Sequence, residues 1–183
     1  MTAPVFSKDQ QDFLRALAKH EVRYLVIGGH AVIFHGFMRF TGDIDFLYDC
    51  NRENAERLWA ALLELWHGNV PVARDAADLM NPDVVFQFGR PPNRIDLIAS
   101  LSSVPFERAW ATRVKSQFTV DGVVVPVWIL GLAELRRAKQ EAGRLKDLED
   151  LKKPARSLRS RANTSLRRPP PARRFARLSR RSP

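Results

Sequence analysis

A single cysteine, Cys50, occurs in 183 residues. One thiol cannot build a disulfide framework, and such a sequence fits a reducing compartment. Long apolar runs are also lacking. The longest, 123–133, is too short to span a bilayer and is interrupted by Pro126. The opening residues, Met-Thr-Ala-Pro-Val-Phe-Ser-Lys-Asp, carry no basic region followed by an apolar segment, so no secretory signal is expected. These absences together predict a soluble cytoplasmic protein with no membrane partner. No Walker-type loop, zinc-ligand spacing or nucleophile elbow is found. Histidine is scarce. His30 and His35 stand five apart, which is not a familiar metal-ligand spacing, so structural roles are expected for both.

Acidic residues are absent from the last part of the chain. Residues 152–183 contain 12 Lys/Arg and no Asp/Glu, a charge of +12. Residues 1–151 contain 18 Lys/Arg against 20 Asp/Glu, or −2. The net +10 therefore belongs to the tail and not to the body of the protein. The tail is rich in Arg, Pro, Ser and Ala with few large apolar residues, so it cannot bury enough surface to offset ordering entropy. Two parts follow: a globular domain over 1–151 and a basic, disordered tail over 152–183. The change at Lys153-Pro154 is abrupt and falls mid-helix in the sequence pattern. It has the composition of a GC-rich gene read in a shifted frame. We hypothesise that a frame change replaced the natural C-terminus. A continuation of the helix in another frame of the coding sequence would bear this out, and its absence would refute it.

Within the domain, Ser7 can cap a helix running to about His20 with Phe13, Leu14, Leu17 and Ala18 as its stripe. Tyr24 to Ile27 reads as a strand that ends at Gly28-Gly29, where the backbone can turn sharply and a ligand can approach closely. Ala31 to Phe37 reads as a short helix whose amides suit a phosphate, and Asp43 to Cys50 as a second strand. Asn51 caps a helix to about His67, with Trp59 and Trp66 read as core. Val84 to Phe88 and Arg94 to Ala99 read as strands. Asp121-Gly122 is a hairpin turn between Lys115 to Val120 and Val123 to Ile129. Leu132 to Leu151 reads as a final helix with Gly143 inside it. The alternation predicts an α/β (α+β) fold, a mixed sheet with flanking helices.

Asp43 and Asp45 carry the chemistry. Residues i and i+2 of a strand share a face, about 6.6–7 Å apart. Two aligned carboxylates repel, and a divalent cation is a physical reason to place them together. Asp96, between Ile95 and Leu97, can join them from a later strand. Oxygen ligands alone favour Mg²⁺ or Mn²⁺. The bland alternative stays open: acids on the solvent face of an edge strand.

The pattern Ile27-Gly28-Gly29, thirteen residues, then Asp43-Ile44-Asp45-Phe46 resembles the core motif of the nucleotidyltransferase (polymerase-beta-like) superfamily. Gly28-Gly29-His30-Ala31, Arg39-Phe40-Thr41-Gly42-Asp43 and the Lys139–Asp150 segment look like the small bacterial nucleotidyltransferases of abortive-infection and toxin–antitoxin systems. The resemblance covers roughly residues 8 to 151. It implies a metal-dependent transfer of NMP from an NTP to a hydroxyl, on a tRNA 3′ end or a protein. Asp43, Asp45 and Asp96 would hold the metal and do the catalysis. Gly28, Gly29, Arg39, Thr41, Lys139 and Lys146 would bind the nucleotide. A cognate antitoxin or toxin is an implied partner. For Lys139 and Lys146, a solvated helix face is the alternative. For the whole domain, it is a catalytically silent module that binds nucleic acid or a partner protein.

Overall fold

A computed structural model describes residues 6–37 and 40–143. The elements run α1 (Lys8–Lys19), β1 (Tyr24–Val26), α2 (Gly28–Phe34), β2 (Ile44–Tyr48), α3 (Arg52–Leu65), a single 3-10 turn (Asp78–Met80), β3 (Val85–Phe88), β4 (Ile95–Ile98), α4 (Phe106–Ala111), β5 (Val114–Val120), β6 (Val123–Ile129) and α5 (Leu132–Ala142). The strands form one six-stranded sheet in the order β3-β4-β2-β1-β6-β5. It is mixed: β1 is antiparallel to β2 and parallel to β6, β2 is parallel to β4, and the β3–β4 and β5–β6 pairs are antiparallel. The fold is thus α/β, a mixed sheet with flanking helices. Among the described residues no helix is long and apolar enough to cross a membrane.

The central strands are buried along nearly their whole length, as sequence runs such as Tyr-Leu-Val and Phe-Leu-Tyr require. Edge strand β3 instead alternates, with Val85 and Gln87 outward and Phe86 and Phe88 inward. Phe13 of α1 packs on Phe46, and Phe46 on Tyr24, with ring centroids 5.1 and 5.5 Å apart. Trp66 lies against Phe88 at 4.5 Å, so the α3 tryptophans serve the core as expected. On the β5–β6 side, the Arg113 guanidinium sits 4.1 Å from the Trp110 ring centroid and 4.9 Å from that of Trp128. That sandwich fastens α4 to the hairpin.

Polar groups fix the ends of the elements. Ser7 and Gln10 form a reciprocal capping box at the start of α1, a motif in which the cap contributes about 1 kcal/mol. Buried Asn54 of α3 donates to the carbonyls of Arg23 (3.0 Å) and Asp49 (2.7 Å) and accepts from the Arg23 amide (2.6 Å). It ties α3 to the start of β1 and the end of β2 through groups that would otherwise be stranded.

Two boundaries differ from the sequence expectation. The second helix begins at Gly28, not Ala31, and ends at Phe34, because Gly36 takes a left-handed φ of 92°. The last described helix ends at Ala142. Gly143 is not inside it but caps it, with φ 60° and its amide donating to the Lys139 carbonyl at 3.2 Å. The expected continuation to Leu151 lies outside the described residues, as does the 152–183 tail.

Burial sets the acid behaviour of the fold. Burial pushes the His35 imidazole below its usual range; nearby Arg136 adds to that, and the bond to the Leu130 carbonyl opposes it. His30 is likewise lowered, chiefly by burial. The fold therefore favours neutral imidazoles. The unfolded chain binds protons first as pH falls below about 6.5, so stability is complete above that value and declines beneath it. Urea midpoints at pH 7.5 and 5.5 should show the lower value at pH 5.5, with a smaller difference in His35→Gln. A pH-independent midpoint would contradict this.

Candidate nucleotidyl-transfer site

The site forms where β2 and β4 lie side by side in parallel. Their register pairs Ile44 with Ile95 and Asp45 with Asp96. Asp43 comes immediately before β2. Its Oδ1 accepts the Arg94 amide at 3.0 Å, while the Ile44 amide donates to the Arg94 carbonyl at 2.9 Å. The three aspartates singled out in the sequence are therefore brought together by two adjacent strands. Asp96 is buried, and Asp43 and Asp45 are half-buried. An edge-strand location on open solvent does not apply, since β2 is interior to the sheet.

A residue that sequence reasoning passed over completes the group. The Arg94 Nε donates to Asp96 Oδ1 at 2.6 Å and its Nη2 to Asp96 Oδ2 at 2.8 Å, a bidentate fork. The same Nη2 lies 3.5 Å from Asp43 Oδ2. Hydrogen bonding to Asp96 raises the guanidinium's already high pKa. Gln87, opposite Asp96 in register, donates to Asp96 Oδ2 at 3.3 Å from β3. The signal was present in the sequence, because Arg94 and Asp96 are i and i+2 on one strand and share a face. Three carboxylates and one guanidinium sum to a formal charge of −2.

The glycines serve this group directly. A Cβ on Gly28 would stand 1.9 Å from Asp45 Oδ2, and one on Gly29 would stand 2.6 Å from Thr41 Oγ1. Their missing side chains make room for Asp45 and Thr41. The Thr41 hydroxyl donates to the Asp43 carbonyl at 3.1 Å. His30 bonds the Asp43 backbone too, and stacks on Phe6 at 5.7 Å, so its role is structural as expected. Gly42 is pinned from two sides: the Gln10 amide donates to its carbonyl at 2.7 Å, and a Cβ there would meet the Pro92 carbonyl at 2.0 Å. The Thr41-Gly42-Asp43 approach is thus held by α1 and by the β3–β4 connection.

Lys139 is not on a solvated face. It is buried in the last turn of α5, a helix that packs against α2. Arg39 and Lys146 lie outside the described residues. Clefts of 780 and 340 Å³ occur elsewhere, the larger between α1, the end of α3 and the β5–β6 hairpin, and neither is lined by Asp43, Asp45 or Asp96. Convergent charge marks this site better than depth does.

The donor chemistry fits a hard divalent cation. The oxygens of Asp43 and Asp96 flank one cationic group, the Arg94 guanidinium. Among the described residues, no three His, Cys, Asp or Glu side chains are arranged to share a metal.

Residues 8–161 match the family described as nucleotidyltransferase of unknown function (DUF6036), and the chain belongs to that family. No curated protein matches it. The solved structures similar to it include two with nucleotidyltransferase in their names. One is a candidate nucleotidyltransferase from Thermotoga maritima, with 16% identity, 77% of this chain and 86% of that one covered, and a TM-score of 0.45. The other is an antigenic nucleotidyltransferase-like protein from Paracoccidioides brasiliensis, with 18% identity, 80% and 75% covered, and a TM-score of 0.46. At these scores neither likeness bears on the function.

Gly28 offers a direct check of the geometry. With φ 57° it is left-handed, where a side chain costs about 1–2 kcal/mol. Gly68, with φ 85° and nothing within 4 Å of a built Cβ, carries the strain without the clash. Gly28→Ala should lower stability in urea by at least about 1 kcal/mol more than Gly68→Ala. Equal losses would mean that Asp45 does not pack on Gly28.

Proposed function

We propose that this chain is a metal-dependent nucleotidyltransferase that moves NMP from an NTP to a hydroxyl acceptor. The observation that carries the reading is the pairing of Asp45 with Asp96, beside Asp43, around a group that already holds a cation. In this reading Asp43, Asp45 and Asp96 hold Mg²⁺ or Mn²⁺. When bound, the ion supplies Lewis-acid stabilisation of charge on the phosphoryl oxygens.

The chain's own groups do the rest. Asp96 takes the proton of the acceptor hydroxyl. The acceptor oxygen forms a bond to the α-phosphorus, the bond to the bridging oxygen of pyrophosphate breaks, and pyrophosphate leaves with that electron pair. Thr41 and the backbone at Gly28 and Gly29 border the nucleotide phosphates, with Arg39, Lys139 and Lys146 as their neutralising cations. Preorganised charge of this kind is the main means by which proteins speed phosphoryl-type transfer. The acceptor class is a tRNA 3′ end or a protein side chain, in the setting of a toxin–antitoxin pair.

A second reading has one observation in its favour. The Arg94 fork occupies the Asp96 oxygens, as it would in a catalytically silent module that binds nucleic acid or a partner protein. Incubation with α-labelled NTPs, total tRNA and cell lysate separates the two. Asp43→Ala and Asp45→Ala should each cut label transfer by about 100-fold or more with circular dichroism unchanged. Equal labelling by both variants and the parent protein would sink the enzymatic reading.

A further inference from the structure

Arg94 is the least expected member of the site, and its placement has a chemical consequence. Both of its donors on Asp96, Nε at 2.6 Å and Nη2 at 2.8 Å, point at carboxylate lone pairs. A magnesium-sized ion binds such oxygens at about 2.0–2.1 Å and would compete with the fork for them. Nη2 also lies between Asp96 and Asp43, 3.5 Å from Asp43 Oδ2. A guanidinium and a divalent ion there would also repel one another at short range. The two occupants therefore exclude each other.

The groups around the fork differ in their freedom to move. The Arg94 backbone is fixed, with its amide on Asp43 and its carbonyl on Ile44. Its side chain is 27% exposed, against 9% for Asp96. The guanidinium can leave towards solvent, while Asp96 stays, retained by the Gln87 amide at 3.3 Å. A guanidinium released from a carboxylate has one equally well matched acceptor, the paired oxygens of a phosphate.

We propose that Arg94 is an exchangeable counter-ion that keeps metal off Asp43 and Asp96 until a nucleotide phosphate draws its side chain away. Resting on the nucleotidyl-transfer reading, this makes Arg94 a positioning residue that couples the two ligands. In the empty protein it cancels the repulsion between Asp43 and Asp96. When nucleotide arrives, the same side chain moves from carboxylate to phosphate and vacates the metal position. By linkage, whatever the nucleotide does for the metal, the metal does equally for the nucleotide.

The test measures metal binding without turnover. Mn²⁺ is titrated against the full chain, without nucleotide, and free ion is followed by electron paramagnetic resonance. Arg94→Ala and Arg94→Gln should bind Mn²⁺ about tenfold or more tightly than the parent protein. Arg94→Lys keeps the charge but not the fork and should fall between. Arg94→Gln retains an amide donor for Asp96, so it keeps the test open if the alanine variant fails to fold. Asp45→Ala marks binding at this site. If the parent and the Arg94 variants bind Mn²⁺ equally, and Asp45→Ala does not bind, the exchange idea is overturned while the metal reading stands. If none of them binds Mn²⁺ at millimolar concentration, the metal reading fails and the exchange fails with it.

Discussion

Two acidic strands are forced into contact by their apolar faces. On β2 and β4, Ile44, Phe46, Ile95 and Leu97 are each at most 5% exposed. Burying a side chain of this kind contributes about 1.5–3 kcal/mol. Two like unit charges about 6 Å apart cost about 3 kcal/mol at an effective dielectric of about 20. Four buried side chains outweigh the repulsion of one such pair, which lets β2 and β4 pair with Asp45 beside Asp96 on the other face. The residual electrostatic demand has to be met by a cation. Arg94, just ahead of β4, meets part of it.

Much of the surrounding structure follows from holding that arrangement. Gly28 makes space for Asp45, and Gly29 makes space for Thr41, which in turn bonds the Asp43 carbonyl. The α1 helix reaches the site through buried Gln10, which takes part both in the helix cap and in the bond to Gly42. A residue that looks like ordinary capping chemistry thereby also fixes the backbone just before Asp43. Further out, Asn54 locks α3 to the other end of β2, so both ends of the strand are tied to a helix.

The family membership and the site geometry are independent lines. Matching residues 8–161 to a nucleotidyltransferase family says nothing about how the carboxylates are occupied. The geometry does, and it puts the Arg94 guanidinium on both oxygens of Asp96 and within 3.5 Å of Asp43.

Local periodicity was enough to read most of the elements, because strand alternation and helical spacing are written residue by residue. The two-residue step of Asp43 and Asp45 put both on one face without any knowledge of neighbours, and Asp121-Gly122 declared its hairpin. Helix ends were less legible. Gly28 and Gly143 each adopt a left-handed φ that a glycine permits but does not announce, so one helix started earlier and the other stopped sooner than their patterns suggested. Beyond that hairpin, the exact partners across the sheet were not legible, although Asp96 was expected to join Asp43 and Asp45 from a later strand. That β4 lies beside β2 depends on pairing between residues about fifty apart, and with it came the Asp45–Asp96 register and the Arg94 fork. For Lys139 the sequence left open a solvated helix face beside a nucleotide-binding role, and its burial was decided by the packing of α5 on α2. The sequence by itself determined which residues carry charge and which face of a strand they share. Tertiary structure alone decided which charges meet, since long-range strand pairing brings them together.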